Sequence, residues 1–241
     1  MDILLELSPN FSPKARPNKN VKFIIIHYTG MQSEIESLKR LKNYKYKVSC
    51  HYFISRTGKV IKMVDDNKEA WHAGKSKWKN FVNLNKFSIG IELVNKGHRF
   101  GYENFPNAQI KSLIKLCKKL KKKYKILDNN FLGHSDIAPL RKIDPGEKFP
   151  WKKLSKFKFG KWYKKIKFDK KFVEPEMKKK LFFKNLYKVG YRYFDINRRS
   201  KNDPKIIKAF QSKYLPNKVT GKLDKKTYEI SHFLANSSKS S

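Results

Sequence analysis

The clearest hydrophobic pattern in the chain is a near-continuous apolar run, VKFIIIHYTG, which starts at Val21. β-branched and aromatic residues dominate it, so it predicts a strand that is buried on both faces and ends at His27. A second run, FSIGIELV, alternates instead: its large apolar residues share one face, while Ser88 and Gly90 share the other with Glu92. This pattern predicts a strand that presents Glu92 beside small neighbours, which leave room for a substrate.

Helical and hairpin patterns surround these two runs. The polar segment 33–43 has helical spacing, and CHYFISRTGKVIKMV predicts a hairpin that turns around Thr57-Gly58. Pro106-Asn107 opens a longer helix with one apolar face, and the short strand NFLGH delivers His134 to a proline-bounded loop. Together these elements predict an α/β fold, a mixed central β-sheet flanked by helices.

The pattern changes after Trp151, where a basic and aromatic stretch begins. Three helical segments follow: one runs from Pro175 to Tyr187, the next has Asp203 as N-cap with Pro204 at the first helical position, and the last has Asp224 as N-cap. They predict a small C-terminal three-helix domain. The chain therefore divides into a first domain over 1–160, a connector over 161–172, a helical domain over 173–236 and a disordered tail over 237–241.

Charge and cysteine usage narrow the function only slightly. The 57 lysines and arginines exceed the 20 acidic residues by 37, but lysine dominates and arginine, the usual reader of phosphates and bases, is scarce. We interpret the charge as a compositional bias. Cys50 and Cys117 show no metal-binding spacing. No window reaches the ~20 apolar residues of a membrane span, and the N-terminus lacks the features of a secretory signal.

Three polar side chains stand where predicted strands end: His27, Glu92 and His134. A zinc ion that performs hydrolysis typically has three protein ligands and keeps a fourth position for water, and two histidines with an aspartate form an allowed set. Either Asp136 or Asp144 could supply the carboxylate, and their spacing does not choose between them.

Five motifs in register show a resemblance to a known family. FIIIHYTG, VSCHYFISRTGKV, AWHAGKS, SIGIELVN and GHSDIAPLRKIDPG resemble, in this order, the zinc-dependent N-acetylmuramoyl-L-alanine amidases of the type 2 family, which includes peptidoglycan recognition proteins. The resemblance covers about residues 21–152. The segment from 206 is similar to the peptidoglycan-binding module of a Gram-negative branch, although Ser231 stands where that pattern has leucine.

The resemblance implies a role for each motif residue. The family's metal ligands fall on His27, His134 and Asp144, which selects Asp144 over Asp136 and implies one zinc ion per chain. The acid/base glutamate falls on Glu92.

The loop lysine beside the metal falls on Lys142, but Leu140 replaces a glycine that is usual in the family, so the turn before Arg141, and with it the exact position of Lys142, is expected to differ. His72 and His51 are expected to bind substrate or to support the metal ligands. Proline on both sides of the loop is expected to stiffen it.

The implied function is hydrolysis of the amide bond between N-acetylmuramic acid and L-alanine in peptidoglycan or muropeptides. The expected partner is that substrate, bound by a monomer with no nucleic acid and no transmembrane segment. Two alternatives stay open: a non-catalytic peptidoglycan-binding protein, and a nucleic-acid-binding protein whose affinity would fall steeply with salt. A cytoplasmic location is expected from the missing signal peptide, with the cell envelope as the alternative from the related branch.

Overall fold

The structure is a computed structural model that describes residues 2–164 and 174–237. The strands in these ranges are β1 (Ile3–Leu5), β2 (Phe11–Ser12), β3 (Phe23–Tyr28), β4 (Tyr52–Ile54), β5 (Val60–Lys62), β6 (Glu69–Ala70), β7 (Lys77–Trp78), β8 (Phe81–Val82), β9 (Ser88–Leu93) and β10 (Phe131–Gly133). The helices are α1 (Glu34–Lys42), α2 (Gly97–Phe100), α3 (Asn107–Tyr124), α4 (His134–Ile137), α5 (Trp151–Ser155), α6 (Pro175–Val189), α7 (Asp203–Tyr214) and α8 (Lys225–Asn236).

Six strands form the central sheet in the order β1-β5-β4-β9-β3-β10. The four strands β4, β9, β3 and β10 run parallel, whereas β5 pairs antiparallel with β4 and parallel with β1. The predicted mixed sheet with flanking helices is therefore confirmed. The carboxyl ends of the four parallel strands lie at one edge, where open α/β sheets usually bind ligands.

Helix α3 covers one face of the sheet. The alternate apolar residues of β3 and β9, Ile24, Ile26, Ile89 and Ile91, pack in one cluster with the apolar stripe of α3. The stripe follows from the helical spacing of its apolar residues, since positions three and four apart lie on one side of a helix. This packing fixes which residues of β3 and β9 point away from α3.

The opposite face of the sheet is covered by two separate apolar clusters. Phe53 of β4 packs with Leu41 of α1 on one side. Phe23 and Ile25 of β3 pack on the other side with residues of α6, α7 and α8, among them Phe182. His27 continues the series of positions 23 and 25 on this face, but it belongs to neither cluster, and the polar site described below includes it.

The C-terminal helices thus share a core with the sheet as well as with one another. Helix α7 begins at Asp203, with Asn202 as its N-cap, so the predicted N-cap lies one residue too late, whereas Asp224 caps α8 by accepting a hydrogen bond from Thr227 N–H. The division near residue 160 stays a prediction. Most of the predicted connector, from 165 on, and the predicted tail after Ser237 lie outside the described residues.

No helix in the described parts of the chain combines the length and the apolar character needed to cross a bilayer.

Candidate metal centre

The parallel strands bring the predicted site residues to one edge of the sheet. His27 and Glu92 are paired neighbours on β3 and β9, and His134 directly follows β10, the other neighbour of β3. Asp144 comes from the loop after α4, and the backbone N–H of Ser135 donates to its carbonyl oxygen at 2.9 Å. The fold therefore gathers residues that are more than one hundred positions apart.

Three potential ligand atoms form a nearly equilateral triangle. His27 Nδ1 lies 3.0 Å from His134 Nδ1, and Asp144 Oδ2 lies 3.1 Å from each of these nitrogens. All three residues are buried. Among the residues the structure describes, this is the group of histidine, cysteine and acidic side chains that could hold a metal ion.

The hydrogen bonds behind His134 leave its Nδ1 free to coordinate. Its Nε2 lies 3.1 Å from the carbonyl oxygen of Ala73, which can only accept, and 3.4 Å from Nη2 of Arg141, which can only donate; the shorter contact favours a proton on Nε2. Arg141 donates to the carbonyl oxygens of Ala73 and Lys75 and thereby holds this loop in place. A ligand histidine whose other nitrogen donates to a fixed acceptor is typical of metal sites.

His27 is oriented through a second histidine. Its Nε2 lies 3.0 Å from Nδ1 of His72, whose Nε2 lies 3.3 Å from Ser88 Oγ. Ser88 donates its own proton to the carbonyl oxygen of Leu84, so it accepts from His72 Nε2, and His72 Nδ1 must accept from His27 Nε2. Burial, with the charges of neighbouring histidines, lowers the pKa of His72 well below its ordinary value, which keeps the ring neutral.

The protonation states also suit a cation. Burial, and next the neighbouring His134, lower the pKa of His27 to about 4, so that its imidazole is neutral at pH 7. Burial raises the pKa of Asp144, but His134 and His27 outweigh it and hold that pKa well below the usual range. A neutral imidazole at His27 and an ionised carboxylate at Asp144 are the forms in which these two residues bind metal.

The triangle has nearly the size that zinc requires. Tetrahedral ligands about 2.0–2.1 Å from zinc lie about 3.3 Å apart, so the observed separations of 3.0 to 3.1 Å need to open by only a few tenths of an ångström. Two nitrogens and one carboxylate oxygen leave one tetrahedral position for water. The residues present therefore fit a catalytic zinc ion.

Glu92 faces the same cavity without a partner of its own. Its Oε2 is buried and has no hydrogen-bond partner among the described residues. Burial, and then the nearby Asp144 carboxylate, raise the pKa of Glu92 to about 8, while Lys142 acts in the opposite direction. Glu92 as a whole is partly buried, but a carboxylate oxygen that is buried without a partner costs stability, and such groups are concentrated at functional sites.

The cavity in front of these residues has a volume of about 390 Å³. Besides the three candidate ligands its lining includes Tyr28, Arg40, Glu92 and Lys142. Backbone N–H groups of Arg141 and Lys142 both donate to the carbonyl oxygen of Ala138, which forms the turn before the lysine. Leu140, where the family usually has glycine, packs at the edge of the cluster under the C-terminal helices, and Lys142 still reaches the cavity.

The small residues beside Glu92 serve a different purpose from the predicted one. A methyl group at Gly90 would lie 2.4 Å from Cγ of His72, and Ser88 is bonded to the same ring. The space above both residues therefore holds His72 and is not free for a substrate. The sequence pattern predicted this space. The side chain that fills it, His72, lies in a loop 16 residues before Ser88 in the chain.

The structure does not bring His51 to the cavity. Its ring is fully buried, Nδ1 accepts from the N–H of Gly90 at 3.0 Å, and Nε2 lies 3.1 Å from the carbonyl oxygen of Lys68. His51 therefore supports the strand that carries Glu92, while His72 lines the cavity and touches His27.

Asp136, the alternative carboxylate, points away from the triangle. It accepts from the N–H of Gly133 at 2.8 Å, from the ammonium of Lys213 at 2.6 Å and from the hydroxyl of Tyr191 at 2.5 Å. Lys213 and Tyr191 belong to no motif that marks them in the sequence, and they lie 77 and 55 residues from Asp136 in the chain.

Comparisons with known proteins identify the family of the chain. Residues 17–147 match the family model described as N-acetylmuramoyl-L-alanine amidase. The chain is 32% identical over 229 residues to the N-acetylmuramoyl-L-alanine amidase AmiD of Escherichia coli, covering 89% of this chain and 82% of that protein. It is 33% identical to the 1,6-anhydro-N-acetylmuramyl-L-alanine amidase AmpD of Haemophilus influenzae, covering 61% of this chain and 86% of that protein.

Two solved structures share the fold of this chain. The complex of Escherichia coli AmiD with anhydro-N-acetylmuramic acid-L-Ala-D-gamma-Glu-L-Lys superposes with a TM-score of 0.79 at 30% identity, covering 94% of this chain and 92% of that one. AmpDh3 of Pseudomonas aeruginosa superposes with a TM-score of 0.82 at 29% identity, covering 94% of both chains.

Proposed function

The chain belongs to the N-acetylmuramoyl-L-alanine amidase family, and we propose that His27, His134 and Asp144 bind the zinc ion with which it hydrolyses the amide bond between N-acetylmuramic acid and L-alanine. The observation that carries this proposal is the triangle of Nδ1, Nδ1 and Oδ2 atoms, 3.0 to 3.1 Å apart, with both histidines committed as donors on their other side. The substrate class is a muropeptide or peptidoglycan, as in the amidases to which the chain is similar.

Three parts of the site have separate roles in the reaction: the zinc site, Glu92 and Lys142. Zinc, when bound, supplies a Lewis acid and lowers the pKa of a coordinated water toward ~7. Glu92, at the end of β9 and beside His27, accepts the proton of the attacking water. Its buried and unpaired Oε2 makes it a stronger base than an exposed carboxylate.

Glu92 then passes the proton to the alanine nitrogen, since an amide releases its amine only after that nitrogen is protonated. A raised pKa suits this second task as well, because a group that titrates near neutral pH both takes and returns a proton readily.

Lys142 stabilises the negative charge that develops on the carbonyl oxygen. It lines the cavity together with Asp144 and Glu92, and its charge acts on the pKa of Glu92. A preorganised cation at such a position contributes a few kcal/mol, or about 10²–10³-fold in rate.

The experiment is mass spectrometry of a purified muropeptide incubated with the full chain, with chelator, and with zinc added back. We expect release of a peptide that begins with L-alanine, its loss with chelator and its return with zinc. Glu92→Gln is the matched control, since it retains the three ligands and should bind zinc without cleaving.

Cleavage that persists in the chelator-treated protein would contradict the zinc assignment. Absence of cleavage by the zinc-loaded protein on both small muropeptides and intact sacculi would contradict the amidase and favour peptidoglycan binding without catalysis.

A further inference from the structure

A buried ion pair joins the C-terminal helices to the helical turn that carries a metal ligand. Lys213 of α7 and Asp136 of α4 approach to 2.6 Å, and their side chains are 4% and 1% exposed. Since His134 begins α4, the carboxylate lies two residues from the ligand.

Every donor and acceptor of this pair has a partner. Lys213 Nζ lies 2.6 Å from Asp136 Oδ2, 3.4 Å from the carbonyl oxygen of Phe131 and 4.2 Å from the centre of the Trp151 ring. The other carboxylate oxygen, Oδ1, accepts from Tyr191 at 2.5 Å. A buried pair with all bonds satisfied is rigid, and loss of one member leaves a charge in the core.

Asp136 transmits this rigidity to the metal ligands. Its Oδ2 also accepts from the N–H of Gly133, which fixes the first turn of α4 on the end of β10. Ser135 N–H donates to the carbonyl oxygen of Asp144, so the same turn also restrains the second ligand from this loop.

The residue Gly133 packs directly on Pro145, since a methyl group there would lie 2.7 Å from its Cδ atom. The turn therefore has little room to move toward the Asp144 loop, and its position depends on the contacts of Asp136.

We propose that Lys213 and Tyr191 are positioning residues for the metal centre: they act through Asp136 to hold the turn that presents His134, so that the C-terminal helices are needed for tight zinc binding. This inference rests on the proposed zinc site. It goes beyond the peptidoglycan binding that the resemblance of the segment from 206 implies, because it assigns the C-terminal helices a part in building the catalytic centre itself.

The test measures zinc affinity of the full chain by competition with a chromophoric chelator, and the d–d absorption spectrum of the cobalt-substituted protein. Substitution of groups that support a ligand typically weakens metal binding by about 10–100-fold. We expect Lys213→Met to weaken zinc binding at least about tenfold and to change the cobalt spectrum. Tyr191→Phe removes one hydroxyl and is the milder variant if Lys213→Met does not fold; we expect it to weaken binding by about threefold or more.

Two matched controls separate positioning from general destabilisation. Lys205→Met removes a charge from an exposed position of α7. Ile230→Ala opens a cavity in the apolar core where α8 packs, without removing a hydrogen bond to Asp136. Both should bind zinc as tightly as the unmodified chain and give its cobalt spectrum.

A double-mutant cycle tests whether Lys213 acts through Asp136. We expect the double variant Asp136→Asn with Lys213→Met to lose less zinc affinity than the product of the fold-changes in Kd of the two single variants. The reason is that the double variant leaves neither charge unpaired in the core. Additive single effects would overturn the proposal.

Unchanged zinc affinity and cobalt spectrum in both Lys213→Met and Tyr191→Phe would also overturn it, as would an equal loss in Ile230→Ala. If the unmodified chain binds no zinc, the proposed function fails with it; if the unmodified chain binds zinc and the variants bind equally well, only this inference fails.

Discussion

The cost of keeping Glu92 unpaired in the site should be measurable as stability. The perturbation is Glu92→Gln, which keeps the shape of the side chain but removes its charge. Burial and the neighbouring Asp144 raise the pKa of Glu92 from 4.5 to about 8 in the folded chain without metal. In the unfolded chain the carboxyl group returns to its ordinary value.

The sign and the size of the effect of Glu92 on the free energy of unfolding follow from the protons bound in the folded and unfolded states. Below pH 4.5, the ordinary pKa of the carboxyl group in the unfolded chain, Glu92 is protonated in both states, so its ionisation does not lower the free energy of unfolding. As the pH rises toward about 8 the unfolded state releases its proton while the folded state keeps it, so the free energy of unfolding falls by about 1.4 kcal/mol per pH unit. Above pH 8 the difference is constant at roughly 5 kcal/mol, an order-of-magnitude figure from the pKa shift.

The assay is urea unfolding of both proteins in excess chelator at several pH values from 4.5 to 9. Glu92→Gln should be nearly as stable as the unmodified chain at the lowest pH and become the more stable protein as the pH rises. Glu36→Gln, at an exposed position of α1, controls for the loss of one negative charge from a strongly cationic chain. Zinc should reduce the pH dependence, since a nearby cation favours the ionised carboxylate.

A stability difference between the two proteins that stays flat from pH 4.5 to 9, or one that grows in the opposite direction, would refute the reasoning. Either result would mean that Glu92 is solvated or paired in the folded chain.

Zinc binding, the packing of His72 on Gly90 and the charge of Lys142 give three further predictions. Chelation should lower the melting temperature, and zinc at 1,000 times its Kd should restore about 4 kcal/mol of stability by binding only the folded state; a melting curve that zinc leaves unchanged would contradict a site at Asp144. Gly90→Ala should displace the His72 ring and weaken zinc binding about tenfold, measured by chelator competition, whereas wild-type affinity would show that the ring does not orient His27. Lys142→Met should leave zinc affinity unchanged and lower kcat about 10²–10³-fold with a smaller change in KM, and an effect confined to KM would assign Lys142 to substrate binding.

Much of the fold was readable in local patterns. The alternation around Glu92 predicted which face of β9 carries the carboxylate, and the apolar run before His27 predicted a strand buried on both faces; both agree with the structure. Patterns of this kind are reliable because burial on one side of a strand or helix repeats with the geometry of the backbone. The candidate ligands were also named from the sequence, but spacing left Asp136 and Asp144 equivalent, and the choice of Asp144 came from the resemblance to the family.

Tertiary structure alone decided what surrounds those residues. It placed His72 over Gly90, assigned His51 to the support of the strand and paired Asp136 with Lys213 and not with the metal site. Each of these contacts joins segments that are far apart in the chain, and a single side chain that finds its partner across such a distance leaves no periodic pattern in the sequence. The amino-acid sequence thus determined the strands, the helix α3 and the candidate ligands. The orientation of each candidate ligand histidine and the rigidity of the turn that carries His134 depend on partners that only folding brings within hydrogen-bond distance.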